Sequence, residues 1–215
     1  MRGILLSIRE QRKQQRREQI IQAAKTLMLN NGIQQVQLQD VANEVGIGIA
    51  TFYRYFANKE LLVLAINNEI TSQMTNSIRK IANEPLTAYE QIERILTYYI
   101  ELIDDPQHQF VKFFKAFEAY KPISEETDEY KEFVDIRREM ANVLYSIAEK
   151  GNEDQSIRAG IDIPEYVFTV VQNISYFTVE SYLTEHDPNL PVKLDPKKQL
   201  KLIKEMFLQF IATKN

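Results

Sequence analysis

Apolar residues recur along the chain at spacings of three and four, the period of helices that bury one face. Between Arg9 and Asn31, Ile20, Ala24, Leu27 and Met28 share such a face, and Gly32 follows as a stop. A short helix is predicted over Leu38–Val45, with Val41, Ala42 and Val45 inward and Gly46 at its end. A third spans Ile49–Phe56. A fourth starts after Asn58, a good cap with Glu60 in the first turn, and runs towards Asn83.

The remainder has the same character. Thr87-Ala-Tyr-Glu90 is a capping box that opens a helix ending near Asp104. Asp105-Pro106 opens the next, which carries Phe110, Phe113, Phe114 and Phe117, with Pro122 as its end. Ser124 is the expected cap of a long helix to Lys150, stopped by Gly151, with residues 151–163 as a loop. Pro164 opens a helix to His186, and Asp195-Pro196 caps a last one to Thr213. Strand signals are nearly absent, so the fold class is all-α with about nine helices. The expected division is a head, residues 1–60, and a larger helical body, residues 61–215.

Composition narrows the chemistry. The chain has 215 residues, no cysteine, no tryptophan and two histidines, His108 and His186. That excludes a disulfide framework, thiolate metal sites and a catalytic cysteine, and it leaves no multi-histidine metal site. No phosphate loop, dinucleotide fingerprint, zinc-protease or serine-elbow motif is present, so no catalytic residue, cofactor or metal is expected. The acidic run at 125–129 opens a helix, where acids are favoured by its dipole. No stretch is long and apolar enough to cross a bilayer, and the opening apolar run Ile4–Leu6 is too short for a signal peptide. No membrane contact and a cytoplasmic location are expected. Net charge is −4, but residues 1–60 hold nine Lys/Arg against five acids, while the rest holds 17 against 25. A basic head on an acidic body points to a polyanion partner for the head. The first 18 residues carry six of the basic residues. They read either as an arm that follows a nucleic-acid backbone or as a solvated extension of the first helix.

The segment Leu38–Phe56 reads LQDVANEVGIGIATFYRYF. Glycine at 46 permits a sharp turn between two short helices. Ile47 plugs the seam, and Phe52 and Phe56 form the inner face of the second helix. That leaves Ile49, Ala50, Thr51, Tyr53, Arg54 and Tyr55 outward. Hydroxyls and a guanidinium donate to phosphates and base edges, and small apolar groups pack on thymine methyls. This is the pattern of a helix-turn-helix with the second helix as reader.

Residues 16–66 resemble the DNA-binding domain of the TetR family of transcriptional regulators. The resemblance rests on Arg17–Leu29, Gly32, Asp40-Val41-Ala42, Val45-Gly46-Ile47, Thr51-Phe-Tyr-Arg-Tyr-Phe56 and Asn58-Lys59-Glu60-Leu61-Leu62. It implies that Thr51, Tyr53 and Tyr55 touch base edges or phosphates, and that Ile49, Ala50 and Arg54 sit where the family varies its base contacts. It implies that Lys59 binds a backbone phosphate, helped by helix amides. Gln39 falls where many members carry a basic phosphate contact, and Gln37 where threonine commonly caps the second helix. Both are departures: an amide lacks charge assistance, and glutamine caps poorly.

The resemblance further implies a ligand-receiving and dimerising body, with the last two long helices forming a four-helix seam. Val167, Val170, Val171, Ile174, Phe177 and Val179 make the helix after Pro164 apolar over much of its girth. Leu200, Ile203, Met206, Phe207, Phe210 and Ile211 stripe the last one. Two reader helices one DNA turn apart also need a two-fold partner, so a homodimer is expected. Tyr98, Tyr99, Phe113, Phe117, Tyr120 and Tyr176, with Phe110, Phe114 and Phe177 beside them in sequence, are the candidate lining of a pocket for an apolar or amphipathic effector. The expected function is a transcriptional repressor that binds a palindromic double-stranded operator as a dimer and is released by that small molecule. The competing readings are an enzyme, which would need a carboxylate-dependent turnover, and a helical interaction module without DNA binding.

Overall fold

A computed structural model of the chain describes residues 8–105, 109–119, 126–185, 187–189 and 191–213. Among them are nine α-helices and no strand: α1 Ile8–Asn31, α2 Leu38–Val45, α3 Ile49–Phe52, α4 Lys59–Ala82, α5 Ala88–Glu101, α6 Gln109–Ala119, α7 Asp128–Asp154, α8 Ile163–Glu185 and α9 Pro196–Ile211, with a 3-10 turn at Leu102–Asp104 after α5.

Helices α1 to α3 form the head. Ile20, Ala24 and Met28 of α1 are buried against Val41 and Ala42 of α2 and Phe52 and Phe56, as the spacing predicts. Gly32 (φ 88°) and Gly46 (φ 71°) end the first two helices in the left-handed region, where a Cβ would be strained. Ile47 donates its N–H to the Ala42 carbonyl at 2.9 Å and packs half-buried in the seam. The third helix is shorter than expected. After Phe52 the chain tightens to three-residue bonds, Arg54 N–H to Thr51 O and Tyr55 N–H to Phe52 O. The chain must bend there, because Phe56 is fully buried and Asn58 must accept from Leu61 N–H at 2.9 Å to start α4.

Helix α4 packs on α1 and also on α5, α6 and α7, so it runs from the head into the body. Helix α5 starts with the expected capping box: Thr87 N–H donates to Glu90 Oε2 and Glu90 N–H to Thr87 Oγ1. The α7 boundaries differ from expectation at both ends. Thr127, not Ser124, caps it, Thr127 Oγ1 accepting from Tyr130 N–H. Its other end is Asp154, three residues beyond Gly151. Gly151 is no stop. It is a contact point, where an added Cβ would meet Ile157 at 3.0 Å and Ala88 and Ile163 at 3.3 Å. The loop that follows runs only from Gln155, which takes the left-handed turn (φ 55°), to Asp162. Gly151→Leu is therefore expected to overpack the α5–α7–α8 junction and cost about 1–3 kcal/mol in urea unfolding. Ser124, His108, Tyr120, Pro122 and His186 lie outside the described residues.

The two last helices correct the expected seam. Val167, Val170, Val171, Ile174 and Val179 are at most 9% exposed within the single chain, and Phe177 is half-buried. Neighbouring helices α5, α6, α7 and α9 consume that face of α8. On α9 the expected stripe divides in two. Leu200, Leu208 and Ile211 turn inward, with Ile203 and Phe207 half-buried beside them. Met206 (60% exposed), Phe210 (52%) and the unforeseen Leu202 (59%) face outward at four-residue spacing. No helix among the described residues is long and apolar enough to cross a membrane. No three His, Cys, Asp or Glu side chains among them converge as a metal site.

Candidate nucleic-acid interface

Helix α3 is held from beneath. Phe52 touches Tyr53 edge-on at 6.2 Å and Phe56 at 6.2 Å, so the buried rings fix the angle at which the outer face is presented. Ala50, Thr51, Tyr53 and Arg54 are exposed, as the pattern requires. Ile49 and Tyr55 are not fully outward. Both are half-buried against the core, because the one-turn helix brings its edges down onto α2 and α1. They instead line two surface concavities. Ile49 lies with Gln37, Leu38, Gln39, Tyr53 and Lys59 in one. Tyr55 lies with Arg54 and the α1 residues Arg9, Arg12, Lys13 and Arg16 in the other.

The two departures from the family pattern have structural counterparts. At Gln37 the helix start is served by Asp40, whose Oδ2 accepts from Gln37 N–H at 2.8 Å. Gln39 Nε2 donates to Asn43 Oδ1 at 2.8 Å, one turn along the exposed surface. Lys59 Nζ donates to the Gln34 carbonyl at 3.1 Å. Burial pulls its pKa below the ordinary lysine value, and Glu60 opposes that pull. A partly desolvated ammonium beside the first amides of α4 gains more from an incoming phosphate than one in open water.

An ionic junction that the sequence did not disclose ties this head to α7. Arg17 lies over the Phe56 ring at 5.2 Å and reaches Glu129 at 3.3 Å and Glu132 at 3.7 Å. Asn68 of α4 donates to the Glu129 carbonyl at 2.8 Å in a buried position. Lys25 of α1 pairs with Glu69 of α4 at 2.5 Å. The acidic run therefore serves as a cross-link and not only as a helix start. Its partners are 112 residues apart in sequence, which no local pattern reveals.

Residues 20–66, the helix-turn-helix and the start of α4, match the profile of the bacterial regulatory proteins of the tetR family. The chain carries the DNA-binding domain of the TetR family. It is a DNA-binding transcriptional regulator and not an enzyme. The chain is 25% identical over 146 residues to the fatty acid metabolism regulator protein of Bacillus subtilis, covering 67% of this chain and 72% of that one. It is 25% identical over 176 residues to the transcriptional repressor KstR2 of Rhodococcus jostii, covering 79% and 81%. The crystal structure of the regulator FadR from Bacillus subtilis in complex with stearoyl-CoA superposes with a TM-score of 0.66 at 20% identity, covering 91% of this chain and 99% of that one. The TetR fold thus extends through the body, well beyond the matched segment.

The aromatic residues expected to bind ligand do not all meet. Tyr98, Tyr99, Phe110, Phe114 and Tyr176 form a continuous series of ring contacts with centroids 5.1–6.3 Å apart. Tyr99 is buried and bonded to Ser175, and burial raises its pKa. Phe113 is fully buried in the core. Tyr176, at the far end, is 53% exposed. Phe117 belongs to a second group with Phe133 and Tyr130, and Tyr120 lies outside the described residues. Phe110 and Phe114 join this series, and their spacing with Phe113 and Phe117 marks them as one run.

Proposed function

We propose that this regulator is a repressor that binds a palindromic operator as a homodimer and lets go when a small apolar or amphipathic molecule binds its body. The observation that carries the reading is the exposed Ala50-Thr51-Tyr53-Arg54 surface mounted on buried Phe52 and Phe56, next to Lys59 at the start of α4. Residues 1–60 act as the DNA-reading head and residues 61–215 as the receiving and dimerising body. Thr51, Tyr53 and Tyr55 contact base edges or phosphates, Ile49, Ala50 and Arg54 set base preference, and Gln39 and Lys59 hold the backbone. The exposed Leu202, Met206 and Phe210 supply an apolar stripe for the partner copy. The protein works in the cytoplasm, where its DNA is.

The effector enters among Tyr98, Tyr99, Phe113 and Tyr176, with Phe117 near the start of α7 and Tyr120 as a further candidate contact. A long acyl chain, as in the FadR complex with stearoyl-CoA, has the apolar length such a run of rings accommodates. Repacking there displaces α6 and the start of α7, and Glu129 carries the displacement to Arg17 and Phe56. Release requires that the effector bind the DNA-incompetent arrangement more tightly than the competent one.

Fluorescence anisotropy with duplex DNA from upstream of the protein's own coding region, beside a scrambled duplex and at two salt concentrations, tests the reading. Preferential, salt-sensitive binding with two chains per site is expected. If genome-selected fragments also fail to bind after ligand removal, the helical interaction-module reading replaces it. Within the operator complex, Tyr53→Ala is expected to weaken binding about tenfold or more. Lys59→Ala is expected to weaken binding on all sequences alike and lower the salt slope by about 2, one phosphate for each protomer. Arg54→Ala shifts sequence preference, which selection from a random duplex library reads directly.

A further inference from the structure

The profile match begins at Ile20, where α1 first buries a side chain, but the helix begins at Ile8. The turns before Ile20 contribute nothing to the hydrophobic core: residues 9–15 are exposed, and Arg16 and Arg17 are half-buried. A helix this polar around its girth is marginal in water by itself and gains its purpose from what meets its surface. Its cations are not scattered. Arg9, Arg12, Lys13 and Arg16 follow helical spacing on one face.

That face forms one wall of a groove whose other wall is Arg54 and Tyr55, at the end of the reader segment. Five cations line it, with Glu10 as the one acid. The other flank of the same helix is different. There a second concavity shares Glu10, Lys13, Arg54 and Tyr55 with the first but is closed by Asp128, Glu129 and Glu132 of α7, and Arg17 is committed to Glu129 and Glu132. A polyanion is thus attracted along one side of the α1 extension and repelled from the other. The attractive side is continuous with the surface that carries Arg54 and Tyr55.

The geometry points to a second DNA-contacting surface: Arg9, Arg12, Lys13 and Arg16 of the α1 extension hold the phosphate backbone of duplex DNA flanking the base-read half-site. This inference rests on the operator-binding reading and deepens it. The occupant is duplex backbone because the groove starts beside the reader residues and offers charge without a constellation for base edges. From Ile20 back to Ile8 the helix reaches about 18 Å, the axial rise of about five base pairs. The extension therefore widens the footprint on each side of a palindrome without adding sequence information.

The test uses the full-length protein and two duplexes made from an operator obtained by random-library selection. One ends at the outermost base pair whose substitution weakens binding. The other carries ten further base pairs at each end. Wild-type protein is expected to bind the longer duplex more tightly and with a steeper salt slope. In the triple variant R9Q/R12Q/K13Q the slope on the longer duplex falls by up to about 5, three cations for each of two protomers, and low-salt affinity drops more than tenfold. On the short duplex the variant stays within about twofold of wild type. Glutamine keeps helix propensity, and equal far-UV circular dichroism checks it. R9K/R12K retains the slope, because a phosphate here needs charge and not a guanidinium fork.

Equal slopes for wild type and the triple variant on the longer duplex, with selective binding intact, overturn this surface and leave a solvated helix extension. Equal losses on both duplexes also overturn it, since the cations would then act inside the base-read segment. A wild-type protein that selects no duplex at all overturns the operator-binding reading and this surface with it.

Discussion

The double substitution Leu202→Glu, Met206→Glu is expected to turn the dimer into a monomer and to lower operator affinity by about a hundredfold or more, with the fold retained. Both side chains are about 60% exposed on α9, so neither is needed for the chain's own core. Phe210 continues the same face but is a poorer choice. It stacks on Tyr166 at 5.7 Å, lies under the Arg158 guanidinium at 4.4 Å, and its carbonyl accepts from Arg158 Nε. Each apolar side chain buried between protomers contributes about 1.5–3 kcal/mol, and a two-fold axis counts each one twice. Glutamates in their place remove that term and set like charges against each other across the axis. The loss in DNA binding follows from geometry. Two linked readers bind about 10²–10⁴ times more tightly than one, because the second binding event is intramolecular. Analytical ultracentrifugation and anisotropy on the full palindrome check both halves. An unchanged dimer would place the interface elsewhere.

Phe52→Ala is expected to cost about 3–5 kcal/mol and to abolish operator binding at temperatures where wild type still binds. Phe52 is fully buried at the centre of the head, in contact with Phe56 and with the ring of Tyr53. Total stabilities of natural domains are about 5–15 kcal/mol, so this one loss takes a large share. The functional effect exceeds the thermodynamic one, since Tyr53 and Arg54 owe their presentation to the ring beneath them. Thermal unfolding followed at 222 nm, together with anisotropy at low temperature, separates the two. A variant that unfolds early but binds normally in the cold would show that the α3 backbone alone sets the reader angle.

The head was legible because its information is local. Glycines at 32 and 46, the cap Asn58 and the apolar positions Ile20, Ala24, Met28, Val41, Ala42, Phe52 and Phe56 each act over one or two turns. The structure buries or turns them where the pattern put them. Failures in the head came from the same short range. Ile49–Phe56 has one continuous helical period, but tertiary packing of Phe56 under Arg17 tightens the chain after Phe52. Gly151 misled for a different reason. A glycine near the end of a periodic stretch reads as a stop, yet here it allows α7 to approach Ala88, Ile157 and Ile163.

The body shows the limit of periodicity. An apolar residue on a helix announces that it will be covered, not by what. The valines of α8 have the composition of an intersubunit seam, but the chain covers them itself. The outward stripe on α9 uses Leu202, which the inward-facing pattern had left out. Ring contacts divide the aromatic run between two groups, Phe114–Tyr176 on one side and Phe117–Phe133 on the other, because α6 faces two neighbours at once.

By itself the sequence determined the helical class, the helix-turn-helix, the segregation of basic charge towards the N-terminal quarter, and the absence of cysteine chemistry. Those follow from composition and from interactions a few residues apart. Only the tertiary structure decided which apolar faces stay open, where Gly151 sits, and that Glu129 and Glu132 take Arg17 out of the basic stripe while Arg9, Arg12, Lys13 and Arg16 line a groove with Arg54. Burial and ion pairing between residues a hundred positions apart depend on how helices pack, and the period of a helix carries no record of its neighbours.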